Sequence, residues 1–220
     1  MNTLSEENYL KAILKATAIE QGAVSTNALA ELLGHKAPTV TDMIKRLSAK
    51  KLISYEKYRG VSITESGRSA ALKVVRKHRL WEVFLVEKLG MGWHEVHDIA
   101  EQLEHVQSDF LTEKLDQFLQ FPQFDPHGDP IPDQTGKMPE FNPFPLSEAN
   151  LGHTILFAGI SDHSPSFLAY VDKLGLKLGQ TLTLLSMEAY DKSCLVKIGQ
   201  QKTPVTLSFR VATNLLCKKK

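Results

Sequence analysis

Cysteine is nearly absent from this 220-residue chain: Cys194 and Cys217 are the only two, and both lie in the C-terminal third. That argues against a disulfide framework and for reduced, structural thiols. Charge of one sign is equally scarce, since 26 basic residues stand against 25 acidic ones, a formal net charge of +1. Such a total neither announces nor excludes a nucleic-acid binder, because charge can be segregated along the chain. Long apolar runs are missing too, and nothing approaches the roughly 20 residues of a membrane span. The N-terminal residues do not follow the charged-then-apolar pattern of a signal peptide. The expectation is a cytoplasmic protein with no membrane partner. What is present is ordinary for a soluble globular chain, 42% hydrophobic and 23% charged. The length allows one large domain or two to three small ones, and no internal repeat is evident.

The chemistry-bearing side chains concentrate between His97 and His105. Read as helix, the stretch places His97, Glu101, Glu104 and His105 at i, i+4, i+7 and i+8, on one face. Two imidazoles and two carboxylates pack poorly, and without an ion the carboxylates raise each other's pKa. A divalent cation removes both penalties, because it attracts carboxylates and takes neutral imidazole nitrogen. For a Glu-rich run alone a solvated helix face is the better explanation. A second pair upstream, His78 and Glu82 at i and i+4 of another helical pattern, tips the reading to metal.

Along the chain, Ser5 reads as an N-cap with Glu6 and Glu7 in the first turn, and Gly22 ends that helix. A second helix runs from about Thr26 to Leu33 and stops at Gly34; Pro38 opens a third, striped by Val40, Met43, Ile44 and Leu47. The pair has the spacing of a helix-turn-helix. Its outward residues, His35, Lys36, Thr39, Thr41, Asp42, Lys45 and Arg46, are groups that reach base edges and phosphates. Thr26 and Pro38, at the helix starts, join the candidate DNA-binding set. Two β-prone runs, Leu52–Glu56 and Gly60–Thr64, flank Lys57-Tyr58-Arg59 and read as a basic wing, with Lys57 and Arg59 on the phosphate backbone. A long helix starts at Glu65, and a break around Gly90–Trp93 precedes the cluster helix. A further helix, Ser108 to Leu119, is expected to bury Phe110, Leu111, Leu115 and Phe118. These stripes suggest a helical dimerisation unit that pairs two winged domains.

Seven of the ten prolines fall between Phe121 and Pro145, which marks a linker or extended loop. Asp125 and His127 within it are either further ligands or plain turn formers. Beyond it the periodicity turns to strands at Thr154–Ile160, Thr181–Leu185, Cys194–Ile198 and Val205–Ser208, with one helix from about Ser164 to Leu174 capped by Ser164 or Asp162. Several short strands in this space suggest a small SH3-like barrel.

Three motifs together, Lys77-His78-Arg79-Leu80-Trp81-Glu82, the run ending Leu103-Glu104-His105, and Tyr55-Glu56-Lys57-Tyr58-Arg59-Gly60, resemble the diphtheria-toxin-repressor family of iron- and manganese-dependent transcriptional repressors. The resemblance covers essentially the whole chain, including a C-terminal FeoA-type module. It implies a homodimer that binds palindromic double-stranded operators when a divalent metal is present. It implies a regulatory metal site of Asn8, Glu101, Glu104 and His105, and a second site of His78, Glu82 and His97. Members with the longer linker motif add positions matching Asp125, His127 and Asp162.

Two departures stand out. The iron-responsive branch has Cys at the position of Glu101 and Met at that of Asn8, whereas the manganese branch has a carboxylate at both. Glu101 therefore points to Mn(II) over Fe(II), with Zn(II), Co(II) or Ni(II) able to substitute in vitro. Asn8 offers a neutral amide oxygen but no charge. Lys11, where manganese members often have Glu, removes a second ligand from that turn. A weaker or altered regulatory site is expected.

The fold class expected is mainly α with small β modules. Its parts are a winged helix-turn-helix at 1–70, a helical metal-binding and dimerisation domain at 71–120, a Pro-rich linker at 121–147 and an SH3-like FeoA-type barrel at 148–220. The function expected is a metal-dependent repressor of metal-ion homeostasis and not an enzyme. Two alternatives stay open: a dinuclear carboxylate metalloenzyme, and a metal-independent winged-helix regulator with a decayed site. The first lacks the paired Glu-x-x-His motifs and leaves the wing unexplained.

Overall fold

The computed structural model describes residues 2–56 and 59–220. The chain divides into two compact units. The first reaches to His78 and also takes Glu101–Asp109 and Pro132–Met138; the second holds Arg79–Ala100, Phe110–Ile131 and Pro139–Lys220.

In the first unit, α1 (Leu4–Glu20) begins at Thr3, not Ser5, because Thr3 and Glu6 satisfy each other reciprocally. The Thr3 hydroxyl accepts the Glu6 N–H at 3.3 Å and the Glu6 carboxylate accepts the Thr3 N–H at 2.8 Å, a capping box. Gln21, in the left-handed region, ends the helix one residue before Gly22. Helix α2 (Thr26–Leu33) is capped by Ser25 and stops at Gly34, as its punctuation requires. Helix α3 (Ala37–Ala49) carries Pro38 in its first turn and buries Val40, Ile44 and Leu47. The wing strands β1 (Ile53–Glu56) and β2 (Gly60–Ile63) pair antiparallel from Ile53↔Ile63 to Glu56↔Gly60. Tyr9, Leu10 and Ile13 of α1 sit in one core with the α3 stripe, Leu29, Ile53 and Val61. Helices α1 and α3 thus share one core.

Helix α4 (Glu65–Leu89) contributes its first part to this unit and the remainder to the second. Helix α5 (Val96–Leu103) stops at Leu103, so Glu104 and His105 stand in a turn. The continuous helical face from His97 to His105 is thus corrected. The unbroken spacing of polar groups hid the point where the helix ends.

In the second unit α6 (Asp109–Phe118) buries a narrower stripe than expected. Leu115 and Leu119 pack with Leu80, Val83 and Ile131, whereas Phe110, Leu111 and Phe118 are exposed. One i,i+4 row is enough to meet α4. The Pro-rich stretch is extended, as expected, yet Asp125, His127, Ile131 and Leu146 in and after it are buried. It ends in β3 (Phe144–Pro145), and after it come β4 (Thr154–Ile160), α7 (Pro165–Leu174), β5 (Thr181–Met187), β6 (Cys194–Ile198), β7 (Val205–Leu207), α8 (Phe209–Asn214) and β8 (Leu215–Lys219). The strands form a six-stranded antiparallel sheet in the order β3-β8-β4-β5-β6-β7. Phe157, Leu182, Leu184, Val196 and Leu215 fill its core, and both cysteines are free and buried there. The architecture is of the fold class read from the sequence. Strand β8 and helix α8 escaped that reading because the Lys-rich end of the chain hides a short apolar alternation. Among the described residues no helix is long and apolar enough to cross a membrane.

Candidate functional site

Two clusters gather most of the candidate ligands, one in each unit. The first is built where α1 faces the turn after α5. Glu104 is fully buried, with 0% of its surface exposed. The Lys11 ammonium donates to both its oxygens, at 2.8 and 2.9 Å, and also contacts the Glu101 carboxylate. His78 Nδ1–H donates to Glu104 Oε2 at 2.6 Å. One turn away, Glu7 Oε2 accepts from His105 Nδ1 at 2.7 Å, and Gln107 Nε2 donates to Glu7 Oε1 at 2.9 Å. With its Nδ1 proton held by Glu7, His105 keeps the tautomer whose Nε2 has a free lone pair. That nitrogen lies 3.7 Å from Glu104 Oε1. Asn8 stands on α1 between Glu7 and Lys11, and its Oδ1 is a buried acceptor with no hydrogen-bond partner, the one such side-chain atom among the described residues. An orphaned acceptor of this kind costs about 1–3 kcal/mol. Two carboxylates, a fixed imidazole and an unsatisfied amide oxygen make a donor set that fits a hard or borderline divalent cation.

The second cluster lies wholly within the second unit. Glu82, Asp125 and His127 are all buried, and each brings one ligand atom within 4.8 Å of the others. His127 Nε2 donates to the Trp93 carbonyl at 3.4 Å, which turns Nδ1 towards Glu82 Oε2 at 3.8 Å. His97 Nδ1 reaches Glu82 Oε1 at 3.6 Å. Asp125 closes its own turn, accepting the His127 and Asp129 N–H groups at 2.8 and 2.9 Å. Burial, followed by the charges of Glu82 and Asp129, pushes the Asp125 carboxyl up to about 7. Burial works to lower the His127 imidazole, yet its bond to Glu82 and the charges of Asp125 and Glu82 together raise it. Two carboxylates crowded out of water beside an imidazole also fit a divalent cation. Gly128 makes this turn possible. Its φ of +91° suits glycine, and a Cβ there would come within 2.2 Å of the Ala158 carbonyl. The turn is thereby held on β4, where the Ile160 N–H donates to the His127 carbonyl at 2.9 Å.

Two expected ligands of the second site have partners of their own. His78 belongs to the first unit and contacts Glu104. Asp162 accepts the Ser164 N–H at 2.9 Å at the start of α7, and that bond draws its pKa down. Its neighbour His163 is the residue turned to the ligand loop: Nε2 lies 3.3 Å from Asp129 Oδ2, and its ring packs edge-on to His127. His163, Asp129 and Glu7 were not singled out from the sequence. A carboxylate at helix start and a His in a turn look the same whether or not something distant meets them.

The DNA-facing candidates form the outer surface of the helix-turn-helix. Lys36, Pro38, Thr39, Asp42, Lys45 and Arg46 are exposed, while Thr26 and Thr41 are half-buried. Thr41 Oγ1 bonds back to the Ala37 carbonyl at 2.9 Å. Lys45 lies 3.8 Å from Asp42 with both side chains largely in water, a pair that holds neither strongly. Arg59 sits at the wing tip, 81% exposed and 3.1 Å from Glu56. Lys57 lies outside the described residues. His35, although exposed, is tethered through Nδ1 to the Tyr9 hydroxyl at 2.8 Å.

Comparison with known proteins gives this arrangement its context. Three family models match in succession: "Iron dependent repressor, N-terminal DNA binding domain" over residues 1–61, "Iron dependent repressor, metal binding and dimerisation domain" over 64–133, and "FeoA domain" over 144–219. A solved structure described as a manganese-dependent transcriptional repressor in complex with manganese is 39% identical. It covers 98% of this chain and 100% of its own, with a TM-score of 0.81. The chain belongs to the diphtheria-toxin-repressor family of metal-dependent transcriptional regulators.

Within that family, the zinc-bound structure of ScaR is 30% identical and covers 98% of this chain and 99% of its own, with a TM-score of 0.73. The iron-dependent repressor IdeR of Mycobacterium tuberculosis is 38% identical over 135 residues, 60% of this chain and 58% of the relative. The diphtheria toxin repressor of Corynebacterium glutamicum is 38% identical over 127 residues, 57% of this chain and 55% of the relative. The matched stretch thus spans little more than half the length of these curated relatives. These relatives are named with manganese, zinc and iron in turn, so membership in a divalent-metal-dependent family does not by itself select one metal.

Proposed function

We propose that this protein is a cytoplasmic, non-enzymatic repressor that binds a palindromic operator as a homodimer when Mn(II) occupies a site of Asn8, Glu101, Glu104 and His105. The observation that carries the reading is the seam between α1 and the turn after α5. There Asn8 Oδ1 is buried and unsatisfied, between Glu7, which orients His105, and Lys11, which contacts Glu101 and Glu104. Oxygen and imidazole donors without a thiolate favour Mn(II) over Fe(II), with Zn(II), Co(II) or Ni(II) able to bind in vitro.

When bound, the cation supplies the positive charge that lets the two carboxylates and the Asn8 amide share one centre. The chain's own residues do the rest. Glu7 fixes the His105 ring, and α1 passes the constraint to α3 through Tyr9, Leu10 and Ile13 against Val40, Ile44 and Leu47. A restrained α3 presents Lys36, Thr39, Thr41, Asp42, Lys45 and Arg46 in one orientation, and Arg59 of the wing reaches for phosphate, with Lys57 and the starting turns at Thr26 and Pro38. Glu82, Asp125, His127 and His97 form the second site, which steadies the proline-rich loop. The exposed Phe110, Leu111 and Phe118 of α6 support pairing with a second copy through the 71–120 region. The linker 121–147 and the FeoA-type module at 148–220 complete the division of labour.

The test is operator affinity with and without Mn(II), using a duplex selected from a randomised pool by the metal-loaded protein. Mn(II) should tighten binding at least tenfold in the wild type and leave Glu104→Ala unchanged. Equal affinity of the wild type in both conditions overturns the reading.

A further inference from the structure

The Lys11 ammonium sits where a cation is wanted. It contacts Glu101 and donates to both oxygens of the wholly buried Glu104, at 2.8 and 2.9 Å, while His78 holds the same carboxylate from another side. A buried carboxylate demands a counter-charge, and removing the partner of a buried charge is strongly destabilising. Yet the lysine leaves the seam imperfectly satisfied. It has three donors, and Asn8 Oδ1 on the same helix face still has none. We propose that Lys11 is a built-in competitor for the regulatory metal: its ammonium stabilises the metal-free protein by occupying the Glu101–Glu104 carboxylates, and it must swing out before an ion binds there. This rests on the reading that the Asn8, Glu101, Glu104 and His105 set is a metal site.

The consequence is a raised threshold. A ligand that binds only molecules with the competitor withdrawn has its apparent dissociation constant divided by the fraction withdrawn. If Lys11 is engaged in about 90–99% of molecules, metal affinity falls roughly ten- to a hundred-fold. Lys11 is also well placed to leave, since its side chain is 22% exposed and Glu101, its outer partner, is 33% exposed. A merely structural salt bridge would persist with metal bound.

Three measurements test this. In the wild type, acetylation of Lys11 by an amine-reactive ester, read by mass spectrometry, should rise as Mn(II) is titrated in, the reverse of ordinary ligand protection. Labelling that stays constant or falls overturns the proposal. By calorimetry, Lys11→Met should bind Mn(II) ten- to a hundred-fold more tightly, and Lys11→Arg no more tightly than the wild type. Repeating each titration with His127→Ala separates the two clusters. In parallel, Lys11→Met should melt at a lower temperature than the wild type without metal and show a larger upward shift with it. Equal Mn(II) affinity and equal shifts in wild type and Lys11→Met overturn the competitor while leaving the site standing. Absence of Mn(II) binding at this cluster in both proteins overturns the competitor together with the reading on which it rests.

Discussion

At the scale of single residues, Asn8 is the most informative position. A neutral amide holds its place without the repulsion a third carboxylate would add, but it offers an incoming cation less. Asn8→Asp should tighten Mn(II) binding at the first cluster about tenfold, measured by calorimetry, by adding a charge-assisted contact. A looser or unchanged affinity would remove Asn8 from the ligand set. Glu101, Glu104 and His105 were legible as candidates because a second pair upstream, His78 and Glu82, outweighs the solvated face that a Glu-rich run alone suggests. Glu7 was not: nothing local distinguishes a first-turn glutamate that pleases the helix dipole from one that orients a histidine 98 positions away. The buried cysteines allow a further check. Burial pushes the Cys217 thiol up to about 12. A raised pKa stabilises the fold fully below the unfolded thiol's value, about 8.5, and that contribution disappears as pH climbs towards the folded value. Urea unfolding should therefore show wild type losing stability relative to Cys217→Ala between pH 8 and 10, by at most roughly 1.4 kcal/mol per pH unit. A difference independent of pH would contradict the buried neutral thiol.

At the scale of elements, the helices and strands with strong punctuation were read to within a residue or two. Thr26 and Gly34 bracket α2, Pro38 opens α3, and alternation marks β1, β2, β5 and β6. One element was misread and one held more than the sequence showed, each for a physical reason. Polar spacing carries on through Glu104 and His105 although the helix has ended, because a turn after a helix continues to present its side chains to the same neighbours. The proline-rich stretch reads as linker because proline forbids a ladder of backbone bonds, yet extended chain can bury side chains as readily as a strand does. Asp125 and His127 are the outcome. The glycine between that turn and β4 is decisive for the second cluster. Gly128→Ala, facing a carbonyl at 2.2 Å, should lower the melting temperature by several degrees and weaken Mn(II) binding at Glu82, Asp125 and His127. Normal affinity there in Gly128→Ala would show that the turn does not position the ligands.

At the scale of the whole molecule, a net charge of +1 conceals an exposed basic set on α3 and the wing. The phosphate contacts proposed for Lys36, Lys45, Arg46 and Arg59 should make operator binding fall steeply with salt, and Arg46→Ala should weaken binding across sequences and flatten the salt slope by about one unit. The exposed aromatic edge of α6 belongs to the same scale: Phe118→Asp should shift the protein to monomer in sedimentation and lower operator affinity with it. All of this depends on metal and DNA favouring one arrangement of the winged unit. Linkage demands that whatever factor Mn(II) adds to operator affinity, the operator adds to Mn(II) affinity. The most direct test is therefore calorimetric titration of Mn(II) into the protein alone and into its complex with the selected duplex. The account predicts tighter Mn(II) binding in the complex, by the same factor that Mn(II) gives the duplex, with the effect lost in Glu104→Ala. Mn(II) affinity identical in the two titrations would contradict it.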